Sequence, residues 1–138
     1  MGNPYSEITP KIQELTQLCL DNSRIDASLY TKYQVNRGLR DLNGKGVLTG
    51  LTEISEIQSS KVVDGETVPC EGKLYYRGID IEEIVGGFIR EKRYGFEETV
   101  YLLLFGNLPD KAQLEDFQKV LADYRTLPTS FVRDIIMK

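Results

Sequence analysis

The chain has 138 residues, 41% of them hydrophobic and 28% charged, the balance of a folded domain rather than a disordered tail. Its net charge of −4, from 17 basic and 21 acidic side chains of interspersed sign, offers no basic face to a nucleic acid. With no histidine and only two distant cysteines, Cys19 and Cys70, it has no Ser-His or Cys-His nucleophile pair and no zinc-ligand pattern.

The amino terminus, Met1-Gly2-Asn3-Pro4, lacks the charged start and apolar stretch of a secretory signal. Gly2 with Ser6 fits a myristoylation pattern, but one too short to carry weight. No apolar run nears the roughly 18 residues that span a bilayer. A cytoplasmic protein with two free, half-buried thiols and no membrane partner is expected.

The first predicted element is a helix capped by Thr9, with Pro10 at its first position and Ile8, Ile12, Leu15 and Cys19 on one face. Asp21-Asn22-Ser23 ends it, and a weaker helical stretch covers residues 26–33. Residues 35–50 form a turn-rich crossing, broken by Gly38, Asn43, Gly44, Gly46 and Gly50. Residues 51–57 and 61–77 read as short strands. Asp64-Gly65 turns a hairpin between Val62-Val63 and Thr67-Val68, Pro69 stops that ribbon, and a further strand begins after Gly72.

Helices return at Asp80, which pairs with Glu83 in a capping-box spacing ahead of Ile81, Ile84, Val85 and Phe88. Arg90, Lys92 and Arg93 mark a solvated helix end. Residues 96–105 are apolar nearly all round, with Phe96, Val100, Leu103 and Leu104 on one face and Tyr101, Leu102 and Phe105 on the rest, so burial on several sides is expected. Gly106 and Pro109 end this helix. Asp110 caps the next, which carries Leu114, Phe117, Val120, Leu121 and Tyr124 as far as Pro128. A last apolar face, Val132, Ile135 and Ile136, begins and is cut off at Lys138, as expected of a piece of a longer chain.

The residue types that could carry chemistry each have a plainer reading. Asn43-Gly44-Lys45-Gly46 lacks the spacing of a phosphate loop and reads as a turn. The adjacent acids Glu82-Glu83 and Glu97-Glu98 point in different directions on their helices and suit the positive end of the helix dipole. No catalytic, cofactor-binding or metal-ligating residue is assigned.

Three stretches carry a resemblance. Gly46-Val47-Leu48-Thr49-Gly50-Leu51-Thr52-Glu53-Ile54-Ser55-Glu56-Ile57 resembles the "GV…T-x-I-S-x-I" segment of citrate synthases. Gly72-Lys73-Leu74-Tyr75-Tyr76-Arg77-Gly78-Ile79-Asp80-Ile81 is similar to that family's "G-x-L-x-Y-R-G-x-x-I". Phe96-Glu97-Glu98-Thr99-Val100-Tyr101-Leu102-Leu103-Leu104-Phe105-Gly106-Asn107-Leu108-Pro109 resembles its "F-E-E-x-x-Y-L-L-L-x-G-x-L-P". The motifs stand in the family's order over residues 35–138. The departure is an extra ribbon at residues 62–68, where many relatives have a shorter turn.

The resemblance implies a mainly α fold: the amino-terminal part of the citrate synthase large domain, with a small antiparallel β patch around residues 51–77. On that reading residues 1–34 are helical, 35–78 turn-rich with short strands, and 79–138 helical. It implies an enzyme that condenses acetyl-CoA with oxaloacetate and water to give citrate and CoA. An aspartate takes the methyl proton, and histidines stabilise the enolate and act on the oxaloacetate carbonyl. None of the catalytic residues can be carried over, and a chain without histidine is expected to be scaffold and inactive alone. Acetyl-CoA is then a substrate of the full-length enzyme, and no cofactor is bound by this segment. The implied partners are the remaining carboxy-terminal part and a second copy, met through exposed apolar helices. A 2-methylcitrate synthase fragment and a freestanding helical interaction module are the alternatives.

Overall fold

The computed structural model describes residues 6–36, 40, 47, 49–127 and 129–137, the side chains of residues 129 and 132 aside. The amino-terminal Met1-Gly2-Asn3-Pro4, most of the glycine-rich crossing (Gly38, Asn43, Gly44, Lys45 and Gly46 included), Pro128 and Lys138 lie outside the described residues.

The chain begins with α1 (Pro10–Asp21) and the short α2 (Ala27–Lys32). It then forms a sheet of β1 (Ser55–Val63), β2 (Glu66–Tyr76) and β3 (Ile79–Asp80), antiparallel in that order. Three helices follow: α3 (Ile81–Glu91), α4 (Phe96–Phe105) and α5 (Lys111–Asp123). A single turn, α6 (Thr129–Phe131), leads into a π-helical turn over Val132–Ile136. The fold is thus mainly helical with a small antiparallel sheet.

Local chemistry sets the helix starts. Thr9 Oγ1 accepts the Ile12 N–H at 3.3 Å, with Pro10 opening α1. Asp26 caps α2 in the same way through the Ser28 N–H. At α5 the capping is reciprocal: Asp110 Oδ1 accepts the Gln113 N–H at 2.9 Å, and Gln113 Oε1 accepts the Asp110 N–H at 2.8 Å. At α3 the Asp80 carboxylate accepts the Glu82 N–H. The expected return bond from Glu83 is not formed among the described residues, so the box assigned there stands at α5 instead.

Asp64 and Gly65 take φ of +52° and +83°, the pair of positive angles of a type I′ turn, so the expected hairpin forms. The strands differ from expectation at both ends. β1 starts at Ser55 rather than Leu51, and β2 runs unbroken through Pro69. The register explains the proline. Gln58 pairs with Lys73 but Ser60 pairs with Pro69, so β2 holds extra residues between two regular ladders. Pro69 sits at the edge of that irregularity, where a missing N–H breaks no continuous ladder.

The core is a triad of rings from two helices. Tyr101 and Phe105 of α4 meet Phe117 of α5 edge-to-face, with centroids 4.5, 5.4 and 5.7 Å apart. Leu15, Leu18 and Cys19 of α1 close over it, with Val100 and Leu121 at its sides. Leu102 is fully buried and Ile84 nearly so. The α4 face therefore corrects the sequence reading. Tyr101, Leu102 and Phe105 point inward, whereas Phe96 is 70% exposed and Leu104 is also open. Ile8, expected on the α1 core face, is exposed as well. In the last segment Ile135 and Ile136 lie on the surface, and the expected α-helical face becomes a π-helical turn. So short a segment, with its apolar side chains uncovered, lacks the packing that holds a regular helix.

The α3–α4 corner is tight. A Cβ on Gly95 would lie 1.9 Å from the Phe88 ring, so no other residue fits without moving that ring. Arg93 stacks on the same ring at 4.9 Å and ion-pairs with Glu98, which is buried. Arg93 is thus not the solvated charge read from the sequence, because a carboxylate taken out of water needs a cation beside it. Phe117→Ala should lower unfolding free energy by about 3–5 kcal/mol, read by urea denaturation, since it removes one ring from each of two edge-to-face pairs.

Candidate functional site

The best-organised polar centre lies where the sheet meets two helix ends. β2 and β3 are joined by Arg77-Gly78, with φ of +49° and +83°. Arg77 is therefore a non-glycine residue in the left-handed region, a conformation that needs outside support. The Arg77 N–H donates to Ile54 O at 2.9 Å. Its guanidinium Nε and Nη2 both donate to Leu103 O, at 3.2 and 3.0 Å, and Nη1 donates to Asn22 O at 3.2 Å.

Both acceptors are carbonyls at helix carboxy-termini, where the backbone has run out of amide donors. Leu103 belongs to the last turn of α4, and Asn22 caps α1. One cation thus meets the negative ends of two helix dipoles. The two ends touch: a Cβ on Gly106, which closes α4, would lie 3.0 Å from Asn22 Oδ1. Around this junction Asp21, Asn22, Glu53, Arg77 and Gly106 line a hollow of about 330 Å³. With its donors spent on main-chain carbonyls, Arg77 acts as a clamp.

A second cation, Lys73 of β2, lies 3.2 Å from Asp80 Oδ2 and 2.9 Å from Glu82 Oε2. The hydrogen bond from Glu82 holds the Lys73 ammonium above its ordinary value, with Asp80 adding to it. The Glu82 N–H at the helix start holds the Asp80 carboxyl below its ordinary value. Glu82 is thus committed to a lysine, and Glu97 to Arg125 at 3.1 Å. Neither adjacent pair of acids forms a carboxylate dyad.

The largest groove, about 650 Å³, runs between α1 and α5 over the Tyr101 ring. Lys11 bridges it, 3.1 Å from Glu14 and 3.2 Å from Asp116. Burial pushes the Tyr101 phenol up, away from proton transfer near neutrality. Among the described residues no three His, Cys, Asp or Glu side chains gather as a metal site, and no helix is long and apolar enough to cross a membrane. Cys19 and Cys70 are free and half-buried. The sequence reading assigned no site residue and gave Arg77-Gly78 only a turn role. The clamp was missed because its acceptors lie 26 and 55 positions away.

Residues 39–138 match the family model described as citrate synthase, C-terminal domain. The chain belongs to the citrate synthase family. It is 32% identical over 99 residues to 2-methylcitrate synthase 1 of Corynebacterium glutamicum, covering 72% of this chain and 20% of that protein. It is 34% identical over 85 residues to the citrate synthase of Saccharolobus solfataricus, covering 61% and 20%. The glyoxysomal citrate synthase of Cucurbita maxima is 31% identical over 104 residues, covering 75% and 18%. The chain thus spans about a fifth of the length of the curated relatives it matches. No solved structure gives a significant match.

Two outcomes follow from the geometry. Arg77→Ala should cost about 3 kcal/mol in urea denaturation, because two helix-end carbonyls lose a charged donor, and Arg77→Lys should recover only part of it. Asp80 is depressed in the folded state, so its stabilisation is present above about pH 4 and is lost as pH falls through its lowered value. Asp80→Asn should flatten that acid limb of the stability profile in thermal melts at stepped pH.

Proposed function

We propose that this chain is the amino-terminal scaffold part of a citrate synthase and does not catalyse on its own. The whole polypeptide would condense acetyl-CoA with oxaloacetate and water, releasing citrate and CoA. The observation that carries this reading is the absence of any histidine from a chain whose family match runs over residues 39–138. The chemistry implied by the family resemblance needs imidazoles beside the enolate and the ketone, and those must come from elsewhere in the polypeptide. What this segment supplies is the ring core and the Arg77 clamp, which fix helix directions.

The partner in this reading is the remaining carboxy-terminal part of the enzyme. Open apolar side chains such as Phe96, Leu104 and Ile135 suit contact with it and with a second copy. Acetyl-CoA is a substrate of the whole enzyme, and the cytoplasm is its compartment. A second reading, a 2-methylcitrate synthase segment acting with propionyl-CoA, is favoured by the name of the Corynebacterium relative. A freestanding interaction module is the third, and a stop codon directly after Lys138 in the gene would favour it.

Thiol release from acyl-CoA in the presence of oxaloacetate tests the proposal. The isolated chain should give no turnover above the blank. A family-length polypeptide carrying this segment should release CoA faster from acetyl-CoA than from propionyl-CoA. Turnover by the chain alone would overturn the scaffold reading, and a propionyl preference would favour the second one.

A further inference from the structure

Two exposed surfaces of this chain have opposite character. The first is the β1–β2 ribbon. Its nine-residue first strand, about 30 Å long, is exposed at every position. Ile57 is 77% and Val62 71% exposed. A ribbon of two strands with neither face covered is marginal in water, so these apolar side chains call for a cover. Its charge is acidic: Glu56, Asp64, Glu66 and Glu71 against Lys61 and Lys73, and Lys73 is held by Asp80 and Glu82.

The second surface is the corner between α3 and α4. Ile89 is 71%, Tyr94 94% and Phe96 70% exposed within eight positions of chain. Its charge is basic, with Arg90, Lys92 and Arg93 against Glu91, and Arg90 and Lys92 exposed. Lys92 is held outward in the left-handed cap of α3.

We propose that the ribbon of one chain docks on the α3–α4 corner of a second copy, and the second ribbon on the first corner. The occupant is chosen by complementarity: an acidic apolar strip meets a basic apolar corner, and both stand uncovered in the single chain. Because the patches differ, one two-fold axis makes both contacts at once and closes the dimer. The apolar side chains supply the burial, and Glu66 and Glu71 facing Arg90 and Lys92 set the pairing. This inference needs no enzymatic activity and stands apart from the citrate synthase reading.

Sedimentation equilibrium of the 138-residue chain tests it. The wild-type chain should dimerise, and raising salt from about 50 to about 500 mM should weaken the dimer at least fivefold as exposed charges are screened. R90E/K92E and E66K/E71K should each weaken self-association at least tenfold. An equimolar mixture of the two should restore dimers, because one of the two contacts then regains opposite charges. A wild-type chain that stays monomeric at every concentration would overturn the proposal and leave these surfaces to another partner. So would association that salt strengthens, which would mark a purely apolar contact, or a mixture that stays as weak as its components. The salt titration on the unaltered chain decides the matter even if a variant does not fold.

Discussion

The architecture depends on one guanidinium. Arg77 stands at the turn that reverses the chain from β2 into β3, and β3 leads directly into α3. Its side chain bonds the ends of α1 and α4, which begin and complete the helical layer. A neutral side chain could not answer carbonyls at the negative ends of two dipoles, and a lysine presents its charge at a point rather than as a planar fork. Left-handed backbone at this residue costs energy, and the side-chain bonds offset it. Remove the cation and three elements lose their common reference: α1, the sheet and α4.

The division of labour between this clamp and the ring core is physical. The rings of Tyr101, Phe105 and Phe117 supply burial without fixing direction strongly. The clamp supplies direction with little burial. Family membership adds meaning to that division. A segment covering about a fifth of its relatives' length can define where helices point while the reacting groups come from residues beyond it. The uncovered side chains on α4 and in the terminal π turn agree with an element built to be packed from more than one side.

Much of this was readable in the sequence where the governing forces are local. Thr9-Pro10, Asp26, Asp80 and Asp110 mark helix starts because a side-chain oxygen reaches an amide two or three residues away. Asp64-Gly65 marks a hairpin because its angles are set by two residues. The family motifs at residues 46–57, 72–81 and 96–109 led to the family that the match over residues 39–138 establishes. The failures share a different cause. In α4 apolar residues occur on every face, so periodicity could not select Tyr101, Leu102 and Phe105 over Phe96 and Leu104. Pro69 stays within a strand because β2 absorbs it at a register change that depends on β1. Arg77 and the buried Glu98 with Arg93 are decided by partners that no local pattern names.

The register change has a mechanical meaning. It divides the ribbon into a basal ladder, ending at Gln58 and Lys73, and a distal one from Ser60 and Pro69 to the turn. The basal half is tied to β3 and, through Lys73, to the start of α3, whereas the distal half is tied to nothing beyond its own two strands. Opening the tip therefore need not disturb the helices, and the distal half behaves as a separate low-stability unit. Chain can be added or removed there with the basal pairing intact, which makes the ribbon tip the place where this scaffold can change length at least expense to its core.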